Sequence, residues 1–380
     1  EESPRKGGRL RRFLIFFLIL AAVLAVVIVA AWRDGTGFDA LHRLFAYGGS
    51  EEATGEVRYE YDDSSSNRFA DLGDALVVLS DTKLEVLGAG GQEIWSVSVR
   101  MDAPALDVGG GLAVAYDVGG TELYVVDERG EVGSLTAPAD YPFLSARLND
   151  SGYLAVTAGL ENYKGGVTVY DDHLEPLFLY RASERFVIDA CVTEDNRQMA
   201  AVTLGQENSV FVSSIVLYEL GKEEPSATYD VSDGLEAAIG QLGDYLVTVS
   251  DTCFTVATLS GQVEATYPYN GTYLREFDLG GEDFAALLLN RYKSGSVGRL
   301  VTVDPEGQEI ASLDVNQEIL SISAAGNYLA VLYMDSLVIY TRELEVYAVQ
   351  EGTDAAREVL MRDDGSVLLL ASESAWLCLP

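Results

Sequence analysis

RLVTVDPEGQEIASLDV, Arg299 to Val315, reads as an alternating apolar strand, a Pro/Gly turn and a second alternating strand. Successive strand side chains point to opposite faces, so the alternation marks a hairpin with one face buried. The same unit of seventeen residues recurs. Copies begin at Lys83 (KLEVLGAGGQEIWSVSV), Glu122 (ELYVVDERGEVGSLTAP), Gly166 (GVTVYDDHLEPLFLYRA) and Ser214 (SIVLYELGKEEPSATYD). Others begin at Cys253 (CFTVATLSGQVEATYPY) and Ser336 (SLVIYTRELEVYAVQEG), and the last, SAWLCLP from Ser374, has no second strand. A repeat of fixed length sets the architecture before anything else does.

Ahead of each hairpin stand two more strands. The second is the more hydrophobic and follows a tight polar turn, as in GDALVVLS (73–80), SGYLAVT (151–157), GDYLVTVS (243–250) and GNYLAVLY (326–333). Apolar runs of this kind suit strands buried on both faces. First strands begin near Phe69, Pro104, Pro142, Phe186, Leu235, Tyr273, Ile319 and Ala356. Four strands in each unit, with units roughly 35 to 50 residues apart, describe the blades of a β-propeller. Proline agrees: Pro104, Pro138, Pro142 and Pro268 fall between blades, and Pro176, Pro225 and Pro305 at hairpin turns, where no ladder amide is needed. The expected fold is therefore all-β, an eight-bladed β-propeller of four-stranded blades over residues 55–380. Seven blades is the alternative. The eighth unit lacks a fourth strand, and TGEVRYEYD (54–62) opens like the fourth strands at Gly130-Glu131-Val132 and Gly261-Gln262-Val263. Lending residues 55–61 to the last blade would close the ring and remove an open edge.

Residues 13–32, FLIFFLILAAVLAVVIVAAW, carry no charge. Twenty residues at 1.5 Å each span about 30 Å, a bilayer's hydrocarbon thickness, and exceed the apolar core of a cleaved signal peptide. Arg5, Lys6, Arg9, Arg11 and Arg12 precede them. The expectation is one transmembrane helix after a basic cytoplasmic tail (1–12), with the propeller outside the cell. Residues 33–54 then form a linker with a short amphipathic helix at Phe38, Leu41, Leu44 and Phe45.

The blade pattern resembles PQQ-like and WD40-like propellers. The layout of basic tail, single apolar segment and acidic propeller is similar to an uncharacterised family of bacterial membrane-anchored propellers, domain of unknown function 5711. That resemblance covers nearly the whole chain and implies no catalytic residues.

Formal charge is −35 over 380 residues. Removing the five basic and two acidic side chains of residues 1–32 leaves 20 basic and 58 acidic ones for the rest. A surface so acidic repels nucleic acid, which is excluded as a partner. Cys191, Cys253 and Cys378 are odd in number and each lies in or beside an apolar strand, which predicts buried thiols rather than a disulfide framework. Quinoprotein dehydrogenases, the enzymatic relatives that the resemblance brings in, repeat in their blades a docking motif ending in Gly-x-x-x-Trp; here only Gly91 to Trp95 matches, so Trp95 is read as packing and no cofactor is expected. His42 and His173 are the only histidines, too few and too peripheral for a Ser-His-Asp, Cys-His or zinc centre. No catalytic or metal residue is assigned. Asp62-Asp63, Asp171-Asp172 and Asp363-Asp364 read as solvated turns.

Loop length carries the functional expectation. First-to-second turns are short in all blades, whereas GLENYKGG (159–166), GQENSVFVS (205–213) and NRYKSGSVG (290–298) lengthen the second-to-third connection. These share a face with the blade-to-blade connections ADYP (139–142), RASER (181–185) and TYPYNGTY (266–273). That face would gather Tyr141, Tyr163, Phe211, Tyr267, Tyr269, Tyr273 and Tyr292 with Lys164, Arg181, Arg185, Arg291 and Lys293. Aromatics with arginine on variable loops suit protein recognition. The expected function is a non-enzymatic, membrane-tethered scaffold binding a protein or cell-envelope partner. The alternatives are an enzyme on envelope polysaccharide using channel carboxylates, and a ligand sensor signalling through a membrane partner.

Overall fold

The computed structural model describes residues 57–380 apart from 74, 208 and 232–234. The chain winds into eight antiparallel four-stranded sheets, each a meander from an innermost first strand to an outermost fourth. Blades 1 to 7 occupy residues 68–98, 104–136, 143–182, 186–230, 236–268, 273–315 and 319–351. Blade 8 combines residues 358–378 with the strand Val57–Glu60, so the ring has eight blades rather than seven. Second strands are mostly apolar because neighbouring blades cover both their faces: Leu76–Leu79, Phe284–Asn290, Tyr328–Tyr333 and Val367–Leu370 are buried at every position. Fourth strands such as Glu93–Ser98 and Val263–Pro268 alternate half-buried with exposed. They pack on one side only, and their sequence alternates accordingly.

Ring closure follows the expected route. Val57–Glu60 runs antiparallel to Ser374–Cys378, with Val57 opposite Trp376 and Glu60 opposite Ser374. The fully buried Tyr59 faces the core. The Tyr61 hydroxyl lies 2.9 Å from the Ala371 carbonyl and 2.8 Å from that of Ser374, donating to this pair of acceptors. Blade 1 then packs on the borrowed strand as other blades pack on their predecessors. Gly130, at φ 126°, turns against the Trp95 indole of the preceding blade, where a Cβ would come within 2.7 Å of Cγ. Gly91, at φ 77°, turns against Arg58, where a Cβ would meet the carbonyl oxygen at 2.1 Å. Only glycine tolerates both the left-handed conformation and the approach.

Lys83, Glu122, Cys253, Ser336 and Ser374 each open a third strand at the residue expected. Residues 205–213, expected as a loop, instead prolong two strands, Gln198–Glu207 and Val210–Glu219, paired out to Glu207 opposite Val210. Ladder hydrogen bonds need no apolar side chains, so a polar composition did not stop the strand; Ser209, at φ 69°, accommodates the turn.

All three cysteines are free and buried. Among the described residues no helix is long and apolar enough to cross a membrane. The apolar segment 13–32 and the linker 33–54 lie outside the described residues.

Candidate functional site

The meander divides the propeller's two ends. First-to-second and third-to-fourth turns lie at one end, here called the turn face. Second-to-third connections and the passages between blades lie at the other, the loop face.

Of the residues expected on the loop face, Tyr163, Lys164, Arg181, Phe211, Tyr273, Arg291, Tyr292 and Lys293 are exposed there. Phe211 and Tyr292 each expose 62% of their surface. The Lys164 ammonium stands 4.9 Å from the centre of the Phe186 ring across the junction of blades 3 and 4, and Lys293 stands 5.7 Å from that of Tyr273 in blade 6. Both are cation–aromatic contacts.

Four expected residues hold structure instead. Tyr269 is 2% exposed and belongs to the core between blades 5 and 6. The half-buried Tyr267 donates its hydroxyl to Glu309 Oε2 at 2.7 Å in the next blade's outer strand; burial, and then this carboxylate, push its phenol up to about 12. Arg185 lies over Gly205 and donates to Thr203 Oγ1 at 3.2 Å and to the Val212 carbonyl, bracing the long hairpin. Half-buried Tyr141 packs its backbone against Gly159. A tyrosine at a strand end reaches solvent or core by one step of the alternation, which connection sequences hide.

Sequence reasoning passed over four exposed apolar side chains on this face. Phe186, Val210, Leu235 and Met334 are each more than half exposed. Phe186 opens a first strand, and Met334 sits between Tyr328–Tyr333 and Ser336–Thr341. An apolar residue at an inter-strand connection was the available signal.

The central channel contains a different chemistry. Arg147 donates to Asp107 at 3.1 Å and to Asp189 at 3.3 Å, joining blades 2, 3 and 4. Asp107 accepts the Leu148 amide at 2.8 Å, Glu276 that of Ile322 at 3.0 Å, and Asp278 that of Ala324 at 3.0 Å. Each bond runs from one inner strand to the next. Burial pushes Glu276 up to about 7 and Asp278 up to about 6, against the pull of these amides. A cavity of about 400 Å³ lies among Asp107, Arg147, Cys191, Glu194, Gln241 and Asp278. Burial also pushes the Cys191 thiol up to about 12, favouring its neutral form.

On the turn face, Asp171, Asp172 and His173 approach one another closely enough to share a metal ion. Asp171 already accepts the His173 and Glu175 amides at 3.0 and 2.8 Å, and Asp172 lies 2.8 Å from the imidazole. Asp364 likewise accepts the Ser366 amide at 2.9 Å. Both are turns closed by their own carboxylates.

A model of a family of unknown function, DUF5711, matches residues 50–373. No curated protein matches the chain in sequence. Solved propellers match it in shape. The C-terminal WD40 domain of Sif2 aligns with a TM-score of 0.61 at 13% identity, over 86% of this chain and 98% of that one. BamB from Moraxella catarrhalis aligns with a TM-score of 0.53 at 12% identity, over 85% and 99%. Dihydro-heme d1 dehydrogenase NirN aligns with a TM-score of 0.53 at 12% identity, over 77% and 67%. Likeness at this identity is likeness of fold.

Proposed function

We propose, for a chain that belongs to the family of unknown function DUF5711, that its propeller is a non-enzymatic binding scaffold tethered to the cell membrane by residues 13–32. The propeller would stand outside the cell and take a protein or cell-envelope partner on the loop face.

The observation that carries this reading is an arc of exposed apolar side chains over blades 3 to 7: Tyr163, Phe186, Val210, Phe211, Leu235, Tyr273, Tyr292 and Met334. Single exposed apolar residues are ordinary, but a run of them along one rim of a rigid ring supports reading that rim as an interaction surface. The direction of the first strand agrees. Fourth strands run from the turn face to the loop face, and Val57–Glu60 occupies a fourth-strand position. Val57 therefore enters the ring at the turn face, the end opposite the arc.

The enzymatic alternative draws on Asp278 beside the channel cavity. Glu276 and Asp278 spend acceptor oxygens on backbone amides of the next blade, so their raised values follow from burial in a structural seam. A binding role is preferred on that ground. The sensor reading needs a membrane partner in addition to the same arc.

A photo-crosslinking residue placed at Tyr163, Phe211 or Tyr292 in intact cells is expected to yield a discrete adduct, and one at Glu128 or Glu306 on the turn face is not. Adducts from the turn face alone, or from neither face, would sink the proposal.

A further inference from the structure

We infer that the occupant of the arc is an extended acidic peptide segment carrying apolar side chains, an inference that rests on the binding-scaffold reading above and names its partner's chemistry.

The faces differ in part of their cations: loop-face Lys83 pairs with Glu85 and Glu93, and Arg275 with Glu318 at 3.8 Å, but among the described residues four others there are not paired. On the turn face Arg129 pairs with Glu128 at 3.5 Å, Arg197 with Asp195 at 3.9 Å, Arg342 with Glu343 at 2.8 Å, and Lys222 with Glu219. Each neutraliser is a near neighbour in sequence. On the loop face, among the described residues, Lys164, Arg181, Arg291 and Lys293 have no carboxylate within ion-pair distance. Two of them lie over aromatic rings instead. In a chain with 60 carboxylates and 25 basic side chains, unneutralised cations gathered on one rim need a reason. An anionic ligand supplies one.

Overall charge does not forbid it. At physiological ionic strength the screening length is about 8 Å. A ligand on the rim therefore feels the cations it touches far more than the carboxylates across the ring. Adding a ligand carboxylate to a Lys–aromatic stack keeps the cation–aromatic contact and completes the charge pairing.

Two features select a peptide over an anionic polysaccharide. Val210, Leu235 and Met334 are aliphatic and more than half exposed, and burying them calls for apolar side chains on the partner. The blade 4 hairpin also outruns its neighbours. Its ladder continues through Gly205–Val212, Gln206–Phe211 and Glu207–Val210, whereas the flanking ladders end at Phe186–Leu204 and Ser214–Asp230. About 10 Å of two-stranded ribbon thus projects beyond the paired part of its sheet, a place where an extended segment can add by β-pairing.

Selection of phage-displayed random 12-residue peptides on the full 380-residue chain tests this. Enriched sequences are expected to alternate Asp or Glu with apolar residues. Their synthetic versions should bind the Lys164→Glu/Lys293→Glu chain at least tenfold more weakly, the Lys164→Gln/Lys293→Gln chain at an intermediate level, and the turn-face variant Lys222→Glu unchanged. Retained circular dichroism of each variant checks its folding. Absence of enrichment, enrichment of basic or neutral peptides, or affinity indifferent to the Glu variants would overturn the inference. So would enrichment that alginate, an acidic polysaccharide, reproduces without any apolar requirement. A crosslink from Tyr163 to a partner segment lacking acidic residues would sink this inference while leaving the scaffold reading standing.

Discussion

Arg362 shows how one side chain can hold a ring together without any mark in the repeat. It follows the first strand of blade 8, and its guanidinium donates to both oxygens of Asp71 in blade 1, at 2.8 and 2.6 Å, and to the Gly73 carbonyl at 2.8 Å. The side chains are only 9% and 17% exposed. Removing one member of such a pair strands the other charge, which costs about 3–5 kcal/mol. Asp71→Ala is therefore expected to lower unfolding stability by that order in urea denaturation, while Asp71→Ala with Arg362→Met recovers much of it. Recovery absent from the double variant would show that the pair contributes through something other than its charges. Tyr269 and Arg185 make the complementary point. Both have the residue types of a binding hot spot, yet one fills a core and the other braces a hairpin.

The strand Val57–Glu60, covalently continuous with blade 1 and hydrogen-bonded into blade 8, turns a row of sheets into a ring. Without it, Ser374–Cys378 would expose an unpaired edge. Proline at position 59 removes a ladder amide and the fully buried Tyr59 ring together. Tyr59→Pro is expected to cost at least about 3 kcal/mol and to promote self-association, read by the urea midpoint and by size-exclusion chromatography. An unchanged midpoint would mean that the ring does not depend on its borrowed strand. The blade 4 ribbon is the opposite kind of element, long, braced at Val212 by Arg185 and with no further strand paired to it at its tip among the described residues.

At several junctions of the ring, inner strands are stitched by buried carboxylates, and this makes stability depend on pH in a definite direction. Glu276 rises from 4.5 to about 7 and Asp278 from 3.8 to about 6, in both cases first through burial. Between those values the folded protein holds protons that the unfolded chain has released. The stabilisation is therefore complete below the unfolded values and is lost as pH rises through about 6 and about 7. Each group is worth on the order of 3 kcal/mol across its window. Glu276→Gln/Asp278→Asn keeps an acceptor oxygen for the Ile322 and Ala324 amides while removing the charge. The double variant is expected to be more stable than the parent at pH 8 and to vary less between pH 4.5 and pH 8, by urea midpoints. Parallel pH profiles for parent and variant would contradict this origin.

Periodicity alone determined the architecture. Strand alternation, turn composition and the seventeen-residue hairpin are local properties, and each blade repeats the same local problem, so the eight units and the closing role of the strand seen at Val57–Glu60 were readable from the chain. The locations of first-to-second turns and of the buried cysteines were readable for the same reason. Folding alone decided which loop-face residues are available. Tyr163, in a second-to-third connection, and Tyr269, in a passage between blades, read alike as loop-face tyrosines, yet one points to solvent and the other into the seam between blades. That difference depends on strand register and on the neighbouring blade, contacts between residues far apart in sequence. The Arg362–Asp71 closure, the carboxylate seams of the channel and the unpaired cations of the loop face arise in the same way: charge pairing is a matter of distance in space, and only the closed ring sets those distances.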